Sequence, residues 1–230
     1  MTAALAIFVK TPGLSPLKTR LAAGIGEQAA LRFHQLAAAA TAEVARACMP
    51  WLAPYWAVAE SGATAAAAWP GFALLHQGEG DLGERLHAVY SRLLARHDRV
   101  LLIGADAPQL TLGSLQAALA LLDDAQMPFV IGDAGDGGFW LFGGRAAVPR
   151  EVWTRVRYSQ AQTASDLRRY LSPCGAIGAV GCLTDIDRAE DLPALRDALD
   201  ALETPLPAQQ ALRHWLATLV AADPVPAGES

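Results

Sequence analysis

The sequence predicts an α/β fold, a three-layer α/β/α sandwich built on a mostly parallel sheet. Two observations predict it. Short apolar runs with no polar face alternate with amphipathic stretches of about ten residues or more, and strands buried on both faces belong to a parallel sheet covered by helices. The chain of 230 residues is also long enough to bury one sizeable core. A single domain is therefore expected over residues 1–222, with a flexible tail at 223–230, "DPVPAGES".

"LAIFVK" (5–10) is β-rich and ends at "TPG", as a buried strand entering a loop does. An alanine-heavy segment from about 27 to 49 predicts a helix, and "PYWAVA" (54–59) and "FALLHQ" (72–77) predict strands. Leu82, Leu86, Val89, Tyr90, Leu93 and Leu94 recur at spacings of three and four, the stripe of an amphipathic helix. "RVLLIGAD" (99–106) returns to strand, "LGSLQAALALL" (112–122) to helix, and "FVIGD" (129–133) and "GFWLFGG" (138–144) to strand. The last third predicts a weak helix at 164–171, a strand at 176–183, and helices at 188–201 and 207–221. In the last of these, Leu212, Trp215, Leu216, Leu219 and Val220 form a stripe that docks on the core.

A formal net charge of −5 argues against general nucleic-acid binding, which needs a basic surface. The apolar start stops at Lys10, too short for a membrane span and without the features of a signal peptide, so a cytoplasmic protein is expected. Cys48, Cys174 and Cys182 contain no C-x-x-C pair, and the five histidines lack ligand spacing; neither a disulfide framework nor a zinc site is indicated.

In an open parallel sheet, ligands bind beyond the carboxyl ends of the strands. "KTPGLSPLKTRLA" (10–22) follows the first strand and gathers Lys10, Lys18 and Arg20. It is no Walker loop, because Lys18 stands where the second glycine would be. Three cations on a Pro/Gly-punctuated loop suit a polyphosphate; a solvated basic loop is the alternative. Asp106 follows the strand "RVLLIG", and Thr111 is the better cap for the next helix, which leaves Asp106 without a structural task. Asp81 with Glu84, and Asp187 with Glu190, have capping-box spacing. Asp185 is not explained by that cap, so Asp185 and Asp187 are candidates for a metal. "GDAGDGGFWLFGG" (132–144) is either hairpin chemistry or a backbone kept clear of a ligand beside Asp136, with Asp133 the weaker candidate.

Taken in order, "FVKTPGLSPLKTRLA", "QGEGDLGERL", "GADAPQLT", "GDAGDGGFWLFGG" and "LTDIDRAEDL" resemble the DUF2064 family, also described as radical-SAM/selenodomain-associated transferase 1, from about residue 5 to 195. The resemblance implies the Rossmann-like GT-A fold of nucleotide-diphospho-sugar transferases and a Mg²⁺ or Mn²⁺ cofactor. It places nucleotide and phosphates against Lys10, Lys18, Arg20, Gly104, Asp106, Gly137 and Gly138, the metal at Asp106, Asp185 and Asp187, and catalysis at Asp106 and Asp136. The implied activity is metal-dependent glycosyl transfer from a nucleotide-sugar to a small-molecule acceptor. Nucleotidyl transfer from an NTP to a phosphorylated small molecule, guanylyltransferase-like, is the alternative, and a nucleotide-binding module without catalysis a third. The oligomeric state stays open, a homodimer included. The chain departs from the family pattern at Ala107, Asp133, Phe139, "YSQ" (158–160) and "DIDRAEDL", residues expected around the acceptor.

Overall fold

The computed structural model describes residues 3–49 and 51–220; the expected tail and the end of the predicted helix 207–221 lie outside them. Seven strands form one sheet: β1 (Ala3–Val9), β2 (Leu52–Val58), β3 (Ala73–His76), β4 (Arg99–Gly104), β5 (Phe129–Ala134), β6 (Phe139–Gly144) and β7 (Ile177–Leu183). Their spatial order is β3-β2-β1-β4-β6-β5-β7. All pairings are parallel except those that β6 makes with β4 and β5, so β6 alone runs against the rest.

Alternation along each strand divides the apolar residues between two faces. Leu5, Ile7, Leu101, Ile103 and Val130 face α2 (Glu27–Ala47) and α5 (Leu112–Asp123). Ala4, Ala6, Val100, Leu102, Ile131 and Phe142 face α4 (Leu82–Leu94), α6 (Arg150–Thr154) and α7 (Thr163–Leu171). A third cluster joins α1 (Thr19–Ile25), α2, α8 (Leu192–Asp200) and α9 (Pro207–Val220) through Leu21, Phe33, Leu195, Leu199, Leu212 and Leu216. Trp215 and Leu219 of the predicted stripe are partly buried against this cluster.

Three short helices escape sequence reasoning: α1, α3 (Ala63–Ala68) and α6. Helices this short are unstable alone and hold only by tertiary packing. In α1 that packing is close, since a Cβ on Gly24 would lie 2.6 Å from the Cβ of Ala189. The predicted helix at 188–201 divides into a 3-10 turn, Ala189–Asp191, and α8. Among the described residues no helix is long and apolar enough to cross a membrane.

Because β1, β2, β4, β5 and β7 run the same way, the segments that follow them gather at one edge of the sheet. The turn from β5 into β6 belongs to that edge as well. It closes with hydrogen bonds from the Ala134 amide to the Gly138 carbonyl at 2.9 Å and from the Gly137 amide to the Ala134 carbonyl at 3.1 Å.

Candidate functional site

A cleft at this edge has two lobes. The larger, of about 730 Å³, is lined by Lys10, Lys18, Arg20, Arg85, Asp106 and Asp187 among others. The smaller, of about 240 Å³, contains Asp136, Gly138 and Asp185. Phe8, Leu82, Gly104 and Ser159 line both. Nine of the expected site residues thus meet around one cleft, and Gly137 supports its wall.

The loop after β1 is anchored at its base. The Thr11 amide donates to Oε2 of Glu60 at 2.7 Å, and Trp69 Nε1 donates to the Thr11 hydroxyl at 3.1 Å. His34 Nε2 lies 3.2 Å from the Lys10 carbonyl oxygen. Burial is the largest effect on the His34 imidazole and lowers its pKa, with the Asp106 charge acting in the opposite direction.

Lys18 ties three loops together. Its Nζ pairs with Asp106 Oδ1 at 3.0 Å and donates to the Ile186 carbonyl, while the side chain is only 8% exposed. The Ile186 amide donates in turn to the Asp106 carbonyl at 3.2 Å, so the loops after β1, β4 and β7 share one junction. Lys18 was expected to meet phosphates; here it is engaged by protein groups, although it still lines the cleft. Arg20 Nη1 lies 2.7 Å from Asp187 Oδ2 in a pair exposed on both sides. Asp187 was also expected to cap its helix with Glu190, but the helix opens at Arg188 and its acidic partner is Asp191, whose Oδ2 accepts from the amides of Asp187 and Arg188 at 2.9 and 2.7 Å. The 3-10 turn shifts the cap by one residue.

The other caps stand where the spacing placed them. Thr111 Oγ1 accepts from the Ser114 amide at 3.1 Å, and Asp81 Oδ1 from the Glu84 amide at 3.0 Å. Glu84 does not complete the expected box; its carboxylate holds Arg150, with Nε to Oε2 at 2.8 Å. Asp106 therefore has no capping task, and its carboxylate faces the cleft.

The two aspartates of the 132–144 segment separate by task. Asp133 forms an ion pair with Arg168 of α7. Asp136 is exposed, and its Oδ1 accepts from the Gly138 amide at 2.8 Å. Gly137 has φ +88°, and a Cβ there would lie 2.1 Å from the Ala161 carbonyl oxygen, so only glycine fits. This turn is hairpin chemistry and cleft wall at once.

Asp185 is half-buried at the cleft wall. Burial first, then the charge of Asp106, push its carboxyl up to about 7; Lys18 opposes this, and Asp136 and Asp187 add to it. Among the described residues no three His, Cys, Asp or Glu side chains gather closely enough to form a complete metal site. Mg²⁺ does not need one, since it keeps several waters and takes one or two carboxylates plus substrate phosphates. Asp106 and Asp185, with unfavourable proximity of like charges, fit such a partial set, although Asp106 also holds Lys18; Asp187 holds Arg20 in an exposed pair.

Two features lay beyond sequence reasoning. Lys18 (φ +47°) and Ser159 (φ +58°) are the non-glycine residues with positive φ among the described residues, and both line the cleft. Such strain persists where surrounding structure enforces it and clusters at functional sites. At Ser159 the enforcement comes from Thr163, whose hydroxyl oxygen accepts from the Gln160 amide at 3.2 Å and lies 2.9 and 2.7 Å from the Arg157 and Gln160 carbonyl oxygens, either of which its one hydrogen can reach. The second feature is a pair of glutamines. Gln209 of α9 donates to the Pro108 and Leu110 carbonyls at 3.0 and 2.9 Å, and Gln109 donates to the Thr184 carbonyl at 2.8 Å. Together they fix the loop of Asp106 against that of Asp185. Gln109 stands in a quoted motif, whereas nothing in the sequence points to Gln209.

No curated protein matches the sequence. Among solved structures, a candidate nucleotide-diphospho-sugar transferase from Desulfovibrio desulfuricans G20 superposes with a TM-score of 0.84 at 23% identity, covering 96% of this chain and 98% of that one. A cytidylyltransferase from Leptospira borgpetersenii gives 0.54 at 12% identity, covering 96% of each chain. The Rv0371c protein of Mycobacterium tuberculosis H37Rv, in complex with manganese, gives 0.54 at 15% identity, covering 88% of this chain and all of that one. At these identities the likeness establishes the Rossmann-like fold of nucleotide-diphospho-sugar transferases. The family model DUF2064, described as an uncharacterized protein conserved in bacteria, matches residues 33–160, more than half of the chain. The chain belongs to the DUF2064 family.

Proposed function

We propose that this protein is a metal-dependent glycosyltransferase that uses a nucleotide-diphospho-sugar donor. The observation that carries the reading is the meeting of a cationic loop, residues 10–20, with the carboxylates of Asp106 and Asp185 in one cleft at the carboxyl edge of the sheet. The larger lobe takes the nucleotide, with its diphosphate against Lys10 and Arg20, and Lys18 beneath. The Arg20–Asp187 pair is exposed, so the guanidinium exchanges its partner for a phosphate oxygen at little cost. A bound Mg²⁺ or Mn²⁺ ion, held by Asp106 and Asp185, supplies neutralisation of the charge that develops on the leaving diphosphate. The manganese complex of Rv0371c supports this choice of ion.

The remaining chemistry belongs to the chain. An acceptor hydroxyl oxygen bonds to the anomeric carbon while the bond from that carbon to the diphosphate oxygen breaks, and its electron pair leaves with the nucleoside diphosphate. The hydroxyl proton passes to Asp136, whose Oδ1 accepts from the Gly138 amide and whose Oδ2 takes the proton, having no hydrogen bond among the described residues. Nucleotidyl transfer from an NTP, with release of pyrophosphate, is the second reading, supported by the fold shared with a cytidylyltransferase.

Titration calorimetry of Asp106→Asn against ADP, CDP, GDP and UDP, each with Mn²⁺, tests the assignment. The best nucleotide is expected to bind at least about tenfold more weakly, the loss of a charge-assisted ligand. Unchanged metal-dependent binding removes Asp106 from the site.

A further inference from the structure

The two lobes of the cleft differ in charge. Lys10, Lys18, Arg20 and Arg85 line the larger, whereas among the described residues no Lys or Arg lines the smaller. Instead its walls include Phe8, Leu86, Phe139 and Tyr158 beside the uncharged Gln160 and Thr163, and among the described residues its only ionisable groups besides the Tyr158 phenol are the carboxylates of Asp136 and Asp185. The phenol is itself taken up by the Trp153 carbonyl at 3.0 Å. With the metal at Asp106 and Asp185 taken up by the donor diphosphate, a phosphate or carboxylate entering this lobe would meet the Asp136 carboxylate and low-polarity walls with no Lys or Arg to receive it. An uncharged body gains from burial there. Size points the same way: a dry apolar cavity of about 150 Å³ holds a benzene ring, and this lobe offers about 240 Å³. Two residues that depart from the family pattern, Phe139 and Tyr158, stand on its walls.

We propose that the smaller lobe is the acceptor site and takes an uncharged alcohol or phenol with a ring-sized apolar body, its hydroxyl turned to Asp136, and not a phosphorylated molecule. This rests on the glycosyltransferase reading and sharpens it, because the nucleotidyltransferase alternative needs a phosphate as acceptor. The apolar body lies between Phe139, Tyr158 and Leu86, and the hydroxyl reaches the end where the metal carboxylates and the donor meet.

The test uses fluorine NMR of 4-fluorobenzyl alcohol and of 4-fluorobenzyl phosphate with the full chain, alone and with the best metal-nucleotide pair. Saturable broadening or shift of the alcohol signal is expected, with the phosphate at least about tenfold weaker. Gln160→Trp should abolish the alcohol signal change by filling the lobe. Gln160 is exposed and lines the smaller lobe alone, so nucleotide-dependent stabilisation of that variant should match the parent. Phosphate binding as tight as that of the alcohol overturns the proposal, as does alcohol binding that survives Gln160→Trp, or no alcohol binding in a protein that still takes nucleotide. Alcohol binding in a protein that no nucleotide stabilises would keep the neutral-ligand site and overturn the glycosyltransferase reading instead.

Discussion

Replacing Gly137 by alanine tests the local geometry that places Asp136 beside Ser159. Two costs are expected. The first is backbone: φ is +88°, where a side chain costs about 1–2 kcal/mol. The second is contact, because the new Cβ would lie 2.1 Å from the Ala161 carbonyl oxygen and 2.7 Å from its carbon, both backbone atoms that cannot rotate away. Relieving that overlap means shifting the turn at 157–163 against the β5–β6 turn, at a further cost of about 1–3 kcal/mol. The Gly137 carbonyl also accepts from the Ala164 amide at 2.9 Å, so the shift disturbs the start of α7. The sum, about 2–5 kcal/mol, lowers Tm by roughly 5–15 °C in a chain of this size. Gly13→Ala is the control, since Gly13 has φ +81° with nothing within 4 Å of a Cβ. It isolates the backbone cost. Scanning calorimetry of both variants is the assay. A Gly137→Ala protein that melts no lower than Gly13→Ala would refute the close approach of the two turns.

Three further outcomes follow from the same geometry. The Asp185 carboxyl is raised to about 7 in the folded protein, so the folded state holds more protons than the unfolded one between about pH 4 and 7. Stability of the metal-free protein should therefore fall as pH rises through that window and level off above it; urea unfolding of Asp185→Asn should show a smaller slope, and an equal slope would assign the effect elsewhere. Gln209→Ala removes two donors from buried carbonyls of the Asp106 loop, and should cost about 2 kcal/mol in urea unfolding while weakening metal-dependent nucleotide binding; full stability with full binding would deny the clamp. Ser159→Gly relieves a left-handed residue and should be neutral to stabilising by up to about 1 kcal/mol, whereas a clear loss would assign the hydroxyl a structural bond.

Much of the fold was legible because its signals are local. The apolar runs of the inner strands, such as β1 and β5, are buried on both faces, whereas those at 72–77 and 176–183 become the partly exposed edge strands β3 and β7; Thr111 and Asp81 cap the helices that follow them. The place of Asp106 was legible by elimination, once Thr111 took the capping task. Other features depend on partners far away in sequence. The glutamine clamp joins Gln209 to a loop about a hundred residues earlier, and Asp133 is settled by Arg168. The left-handed backbone at Lys18 is set by packing of its side chain under Asp106 and Ile186, which no spacing encodes. The cap at Arg188 with Asp191 was missed by one residue, because a 3-10 turn replaces the first helical turn. The direction of β6 is likewise a tertiary fact, since its apolar run reads the same either way.

The central claim, a metal-assisted site for a nucleoside diphosphate and its sugar, is tested most directly by melting curves. The purified protein is scanned with NDPs, NDP-sugars and NTPs, each with Mn²⁺, with Mg²⁺ and with EDTA. A ligand present at a hundred times its dissociation constant adds about 2.7 kcal/mol, or roughly 5–10 °C in Tm. The account predicts such a shift for one NDP and its NDP-sugar, present with metal and absent with EDTA. A shift for an NTP alone, a shift indifferent to EDTA, or no shift with any of them would contradict it.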